Sequence, residues 1–172
     1  ETYLAFAKMH PSHRQIDYAL FRAGLSYLRE SPKSIDRDQQ YLFKAVEEFK
    51  KLLRQSPNTI YREALSAELR VAEVKVAQRL FYVGRFYYRT GEYIAAIPRL
   101  RDLAEKFPNF GETPRALYLI TKAGLKLNQQ ETARQAVEIL LVNYPKNLWT
   151  KKAHERYLQS VRRNHGSISG TD

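Results

Sequence analysis

The sequence predicts an all-α solenoid of antiparallel helix pairs, and three observations carry that reading. First, Pro11, Pro57, Pro108 and Pro145 each close a stretch with the same grammar, an apolar residue eight positions earlier and another five earlier. Those pairs are Tyr3/Phe6, Phe49/Leu52, Leu100/Leu103 and Val137/Leu140. Second, reading backwards from Pro108 gives Leu80, Val83, Gly84, Tyr87, Gly91 and Ala96, which places small residues where two antiparallel helices cross. Third, 7 Gly and 7 Pro beside 44% hydrophobic residues in 172 leave few turns for a many-stranded sheet.

This spacing is the tetratricopeptide (TPR) pattern, a unit of about 34 residues in which a proline ends the second of two helices. The elements follow in order. Residues 1–9 read as the end of a second helix, so the chain is expected to be an N-terminally truncated fragment. A helix from about Ile16 to Glu30 places Gly24 and Tyr27 at the small and aromatic positions of a first helix. Nine residues, Ser31 to Gln39, are then inserted relative to the motif. Ser31-Pro32 supplies a turn and Ile35-Asp36-Arg37-Asp38 an expected N-cap for a helix running to Gln55.

From Tyr61 to Arg89 no proline intervenes, and Leu65, Leu69, Ala72, Val76, Leu80, Val83 and Tyr87 step by 4, 3, 4, 4, 3 and 4. A stripe that keeps its phase predicts one long connecting helix, about 33 Å from Leu65 to Tyr87 at 1.5 Å per residue. It is expected to join the first repeats rigidly to the later ones. Gly91 is a turn residue before a helix from Tyr93 to Phe107, in which Pro98 predicts a kink. The last complete repeat spans Pro114 to Pro145, with Thr121, Gly124, Asn128 and Ala133 at motif positions. Trp149 and Ala153 open a C-terminal capping helix, 149–163, whose basic residues supply the wettable face a terminal unit needs. Residues 1–164 thus read as a single TPR solenoid and 165–172 as a flexible tail.

A formal net charge of +11 invites a nucleic-acid partner. The distribution argues against it, because Glu47, Glu48, Lys50, Lys51 and Arg54 mix signs as a solvated helix face does. Only Lys146, Lys151, Lys152, Arg156, Arg162 and Arg163 form a one-sided group, better suited to an acidic protein surface or lipid headgroups.

No catalytic, cofactor or metal site is expected. Cysteine is absent, which removes thiolate ligands and cysteine nucleophiles. His10 and His13 straddle a proline with only Asp17 near, and Glu47/Glu48 are adjacent and so diverge on a helix. There is no glycine-rich phosphate loop, nucleophile elbow or zinc-binding histidine pair. No stretch approaches the ~20 apolar residues that span a bilayer.

The irregularities carry a narrower resemblance. His10-Pro11-Ser12-His13 leading to Asp17-Tyr18-Ala19 and Gly24-Leu25, then Asp36-Arg37-Asp38-Gln39 in the insertion, resembles the BamD-type, ComL/YfiO-like family of outer-membrane assembly lipoproteins. It continues through Pro57-Asn58-Thr59-Ile60-Tyr61 opening the long helix, Tyr87 to Ala96, and Arg99 followed by Phe107-Pro108, covering most of residues 10–147.

The resemblance implies a non-enzymatic periplasmic scaffold at the outer membrane of a Gram-negative bacterium. The anchor would be an acylated cysteine before residue 1. Implied partners are the membrane-proximal POTRA domain of BamA, other accessory lipoproteins of the assembly complex and unfolded outer-membrane protein substrates; nucleic acid is not among them. Arg99 matches the family's arginine that pairs with a POTRA carboxylate, and Glu92, Tyr93 and Lys106 complete the expected partner-binding set. Helix phase supports this separately, since Ala95, Arg99 and Lys106 fall outside the buried stripe and leave a guanidinium free for bidentate contact. Two other classes stay open: a TPR adaptor of another envelope system, and a basic helical-repeat protein that binds nucleic acid.

Overall fold

A computed structural model describes residues 2–166 of the chain; among them the regular structure is helical and no strand occurs, as the all-α TPR reading requires. The helices are α1 (Thr2–Met9), α2 (Ile16–Glu30), α3 (Gln40–Gln55), α4 (Arg62–Arg89), α5 (Tyr93–Lys106), α6 (Thr113–Lys126), α7 (Gln130–Asn143) and α8 (Leu148–Gly166). The long connecting helix is present without a break as α4. Packing groups the chain into two compact units, residues up to 79 and residues from 80 onward. Of the tail expected over 165–172, residues 165 and 166 belong to α8, which continues to Gly166; residues 167–172 lie outside the described residues.

In the first unit, α2 and α3 form an antiparallel pair with α1 and the start of α4 against them. Leu20, Phe21, Ala45, Phe49, Leu52 and Leu65 make the core. Gly24 lets the pair close: a Cβ there would stand 2.4 Å from the Phe49 ring. The equivalent glycine of the second unit, Gly84, meets Leu100 in the same way, at 2.5 Å. In the last repeat the motif position is Thr121, fully buried, and the position facing it in the pattern is the smaller Val137, also buried. The couples Gly24/Phe49 and Gly84/Leu100 trade volume between helices, which keeps each crossing filled, and Thr121/Val137 continues the grading by its place in the pattern.

The insertion is anchored by Gln39, which the sequence showed only as the last residue of the Asp36-Arg37-Asp38-Gln39 motif. Gln39 is 1% exposed and its Nε2 donates to the carbonyls of Ser34 (2.8 Å) and Pro32 (3.4 Å). Arg79 donates from Nη1 to the Ile35 carbonyl at 2.7 Å. The expected N-cap shifts accordingly. Gln39 occupies the cap position without a side-chain cap bond, while the Asp38 carboxylate accepts the Gln40 N–H at 3.2 Å. Asp36 instead accepts from the Ser34 hydroxyl, which lowers its pKa.

In the second unit, the α5–α6–α7 hairpins and α8 stack in repeat fashion. Gly91 (φ +86°) and Asn128 (φ 57°) hold the same left-handed turn position in successive repeats, where Asn is among the few non-glycine residues tolerated. A second recurrent device is polar. Thr113 donates from Oγ1 to the carbonyl of Phe107, the C-cap of α5, and Thr150 to that of Tyr144, the C-cap of α7, both at 2.7 Å. Both threonines are essentially sealed from solvent (0% and 2%), so these bonds satisfy hydroxyls that water does not serve, on carbonyls that also accept the Phe110 and Asn147 N–H groups. Thr113→Val and Thr150→Val should each cost about 1–2 kcal/mol and lower Tm by a few degrees. Calorimetry showing unchanged melting for both variants would mean the loops are held by other contacts.

Candidate docking site on the C-terminal repeats

All four expected partner-binding residues lie in the second unit, at the start and along the outer side of α5. Glu92 is the exposed N-cap of that helix, where a carboxylate is favoured by the helix dipole, although its side chain makes no cap hydrogen bond. Positions 92, 99 and 106 are seven apart, so each falls within roughly 20° of the next around the helix and the outer two within roughly 40°. Tyr93 does not join them. It is roughly 120° away from Arg99 by helix phase, and its ring packs at 5.4 Å against Tyr88.

Arg99 is half-buried, and its guanidinium lies 4.3 Å over the Tyr87 ring of α4. Its Nη1 donates to the Ala95 carbonyl at 2.8 Å. That corrects one expectation: the guanidinium is not wholly free, because one nitrogen and one face are already engaged. The neighbouring carbonyl, Ile94, has lost its helical donor, since Pro98 has no N–H and α5 nevertheless continues through it. What remains is the Nε/Nη2 edge, with no carboxylate partner among the described residues. This edge is one of the two that clasp a carboxylate with parallel hydrogen bonds. Stacking on Tyr87 fixes its direction in advance.

Lys106 departs further from expectation, because its Nζ sits 2.7 Å from Asp102 Oδ1 one turn back. An exposed pair of this kind contributes little to stability. It makes Lys106 a weaker anchor than Arg99. Two residues were not anticipated from the sequence. Tyr87 acts as the platform under Arg99, and Phe86, 53% exposed and edge-on to Tyr87 at 5.6 Å, places an apolar surface beside it. An aromatic next to an oriented arginine is the composition of an interface centre. The repeat pattern labelled Tyr87 as a packing residue, and nothing in sequence separates a ring that fills a core from one that carries a cation.

The residues weighed for metal binding serve other ends. His10 and His13 are exposed and both pack at 5.2 Å on Phe6, and His13 Nδ1 accepts the Gln15 N–H at 3.1 Å. No group of three or more His, Cys, Asp or Glu comes together among the described residues in a way that would hold a metal.

Helix pairs that repeat the same small-residue crossing and the same left-handed turn define a TPR-type helical-repeat protein. The chain belongs to the outer membrane lipoprotein family YfiO, whose model matches residues 2–140. It is similar to proteins named outer membrane protein assembly factor BamD. That of Caulobacter vibrioides is 25% identical over 149 residues, covering 87% of this chain and 48% of the relative. That of Neisseria gonorrhoeae is 28% identical over 155 residues, covering 83% and 57%. That of Xylella fastidiosa is 28% identical over 173 residues, covering 92% and 57%. The chain therefore spans about half the length of the curated relatives it matches.

Proposed function

We propose that this chain is a non-enzymatic scaffold of the machinery that assembles outer-membrane proteins, held at the periplasmic face of the outer membrane by a lipid anchor. In this reading its C-terminal repeats dock on the membrane-proximal POTRA domain of a BamA-like partner, and it aids the folding and insertion of outer-membrane protein substrates alongside other accessory lipoproteins. The observation that supports docking most is Arg99: a guanidinium pre-oriented on Tyr87, with one bidentate edge unpaired and the exposed Phe86 ring beside its platform. Pre-orientation lowers the ordering cost of binding. Family membership and the names of the relatives support the assembly role itself.

The test is direct. The purified chain, titrated with the isolated POTRA domains of a BamA-like protein at physiological salt, should form a complex detectable by calorimetry. A correctly folded chain that gives no heat and no co-migration on gel filtration would overturn the docking reading.

A further inference from the structure

The basic residues near the C-terminus do not simply coat an end of the molecule. Several of those on α8 face α6. On α6, Arg115, Tyr118, Lys122 and Lys126 follow one another at helical spacing, and on α8 so do Trp149, Lys152, Arg156 and Arg163. Tyr118 meets Trp149 at 5.1 Å at one end, while Lys122, Lys126, Arg156 and Arg163 line one groove of about 370 Å³ at the other. The two helices therefore run parallel, and their cations converge. The remaining lining is Leu125, Gln159 and Ser160, with no acid.

Three cations elsewhere in this unit have carboxylate partners. Arg134 bridges Glu131 and Glu138 on α7, holding the Glu131 carboxyl down to about 2; Lys106 pairs with Asp102 and Arg115 with Glu112. In the groove, Lys122, Lys126 and Arg156 have no carboxylate partner among the described residues. Like charges facing each other across one cleft repel, and the cleft is relieved by an anion.

We infer that the α6/α8 groove is a second docking site, independent of Arg99, for an acidic extended segment of a partner polypeptide, whose carboxylates would lie between Lys122 and Lys126 on one side and Arg156 on the other. The size agrees: 370 Å³ is at the small end of ligand clefts of ~300–1,000 Å³, room for side chains but not for a folded element. Stacked bases fit less well. Among the described residues no aromatic side chain lines the groove, and the rings further along α6 and α8 already carry cations, Lys122 over Tyr118 (5.5 Å) and Arg115 and Lys152 over Trp149 (5.3 and 4.8 Å), so a single strand finds no free stacking platform there. A bilayer surface fits less well too, because the cations line a recess and not a protrusion.

The experiment uses the full chain and a fluorescein-labelled peptide alternating Asp with Phe and Ser, read by anisotropy at physiological salt. The wild type should bind it, and the same peptide with Asn for Asp should bind at least about tenfold more weakly. Lys126→Glu/Arg156→Glu should lose at least about tenfold in affinity, whereas Arg101→Glu/Lys146→Glu, the same charge change outside the groove, should not. If circular dichroism shows the first variant misfolded, Lys126→Gln/Arg156→Gln replaces it. Equal binding of the Asp and Asn peptides, or equal losses in the two double variants, would overturn the inference. So would a Lys126/Arg156 effect confined to phosphatidylglycerol vesicles or to a single-stranded oligonucleotide.

Discussion

Arg99→Glu is expected to abolish binding to a BamA-like POTRA domain, or weaken it by about 2–5 kcal/mol, while the chain keeps its helical content and nearly its melting temperature. The size of the loss follows from desolvation: once docked, the partner's carboxylate is cut off from water, and a Glu at this position leaves it facing a second negative charge. The fold loses less. A half-exposed cation stacked on one ring contributes about 0.5–2 kcal/mol, and the Ala95 carbonyl still has its backbone donor. Arg99→Lys separates geometry from charge, because an ammonium keeps the attraction and loses the parallel pair of donors. Tyr87→Leu should weaken binding less than Arg99→Glu, by releasing the guanidinium from its orientation. Restoration of Arg99→Glu binding by an acid-to-Lys change in the partner would fix the contact residue by residue. Wild-type affinity in Arg99→Glu would refute the docking site and leave the fold untouched.

Phe49→Ala is expected to destabilise the first unit by about 3–5 kcal/mol. Phe49 is fully buried, lies 6.2 Å from the Phe21 ring and fills the space that Gly24 leaves open. The informative experiment is a double-mutant cycle that copies the last repeat. Gly24→Thr alone should cost about 1–3 kcal/mol, because its Cβ would overlap a ring that the core holds in place. Phe49→Val alone should leave a cavity. Together they recreate the Thr121/Val137 couple, and the combined loss should fall short of the sum of the singles by about 1 kcal/mol or more. Strict additivity, measured by urea denaturation, would show that the two side chains do not share one volume.

The helices were legible because their apolar stripes run on local spacing. Ile16–Glu30 and the unbroken Arg62–Arg89 follow from positions three and four apart, which sequence displays directly. Gly24 and Gly84 were readable as small contact positions for the same reason. What sequence did not display is contact between residues far apart in the chain. Lys122 looks like part of a solvated face and Arg156 like one member of a one-sided basic group, and only the parallel packing of α6 and α8 makes them one groove. Tyr87 reads as an apolar knob until the antiparallel turn at Gly91 brings Arg99 back over it. Gln39 reads as loop polarity, whereas its burial and two carbonyl partners make it the anchor of that loop. The Lys106–Asp102 pair is the exception, since its spacing of four was visible and its consequence for docking was not drawn.

The graded couples Gly24/Phe49, Gly84/Leu100 and Thr121/Val137 bear on how such a chain finds its partners during folding. Helices of a repeat protein resemble one another, and wrong pairings are their characteristic failure. Here each second helix carries a key of a different size. Phe49 brought against Thr121 would collide, and Val137 brought against Gly24 would leave a hole, so the mismatched hairpins lose energy that the cognate ones keep. The same grading sets a rule for recombination: chimeras exchanged between prolines, with both helices of a pair inherited together, keep their keys, whereas crossovers inside a pair do not.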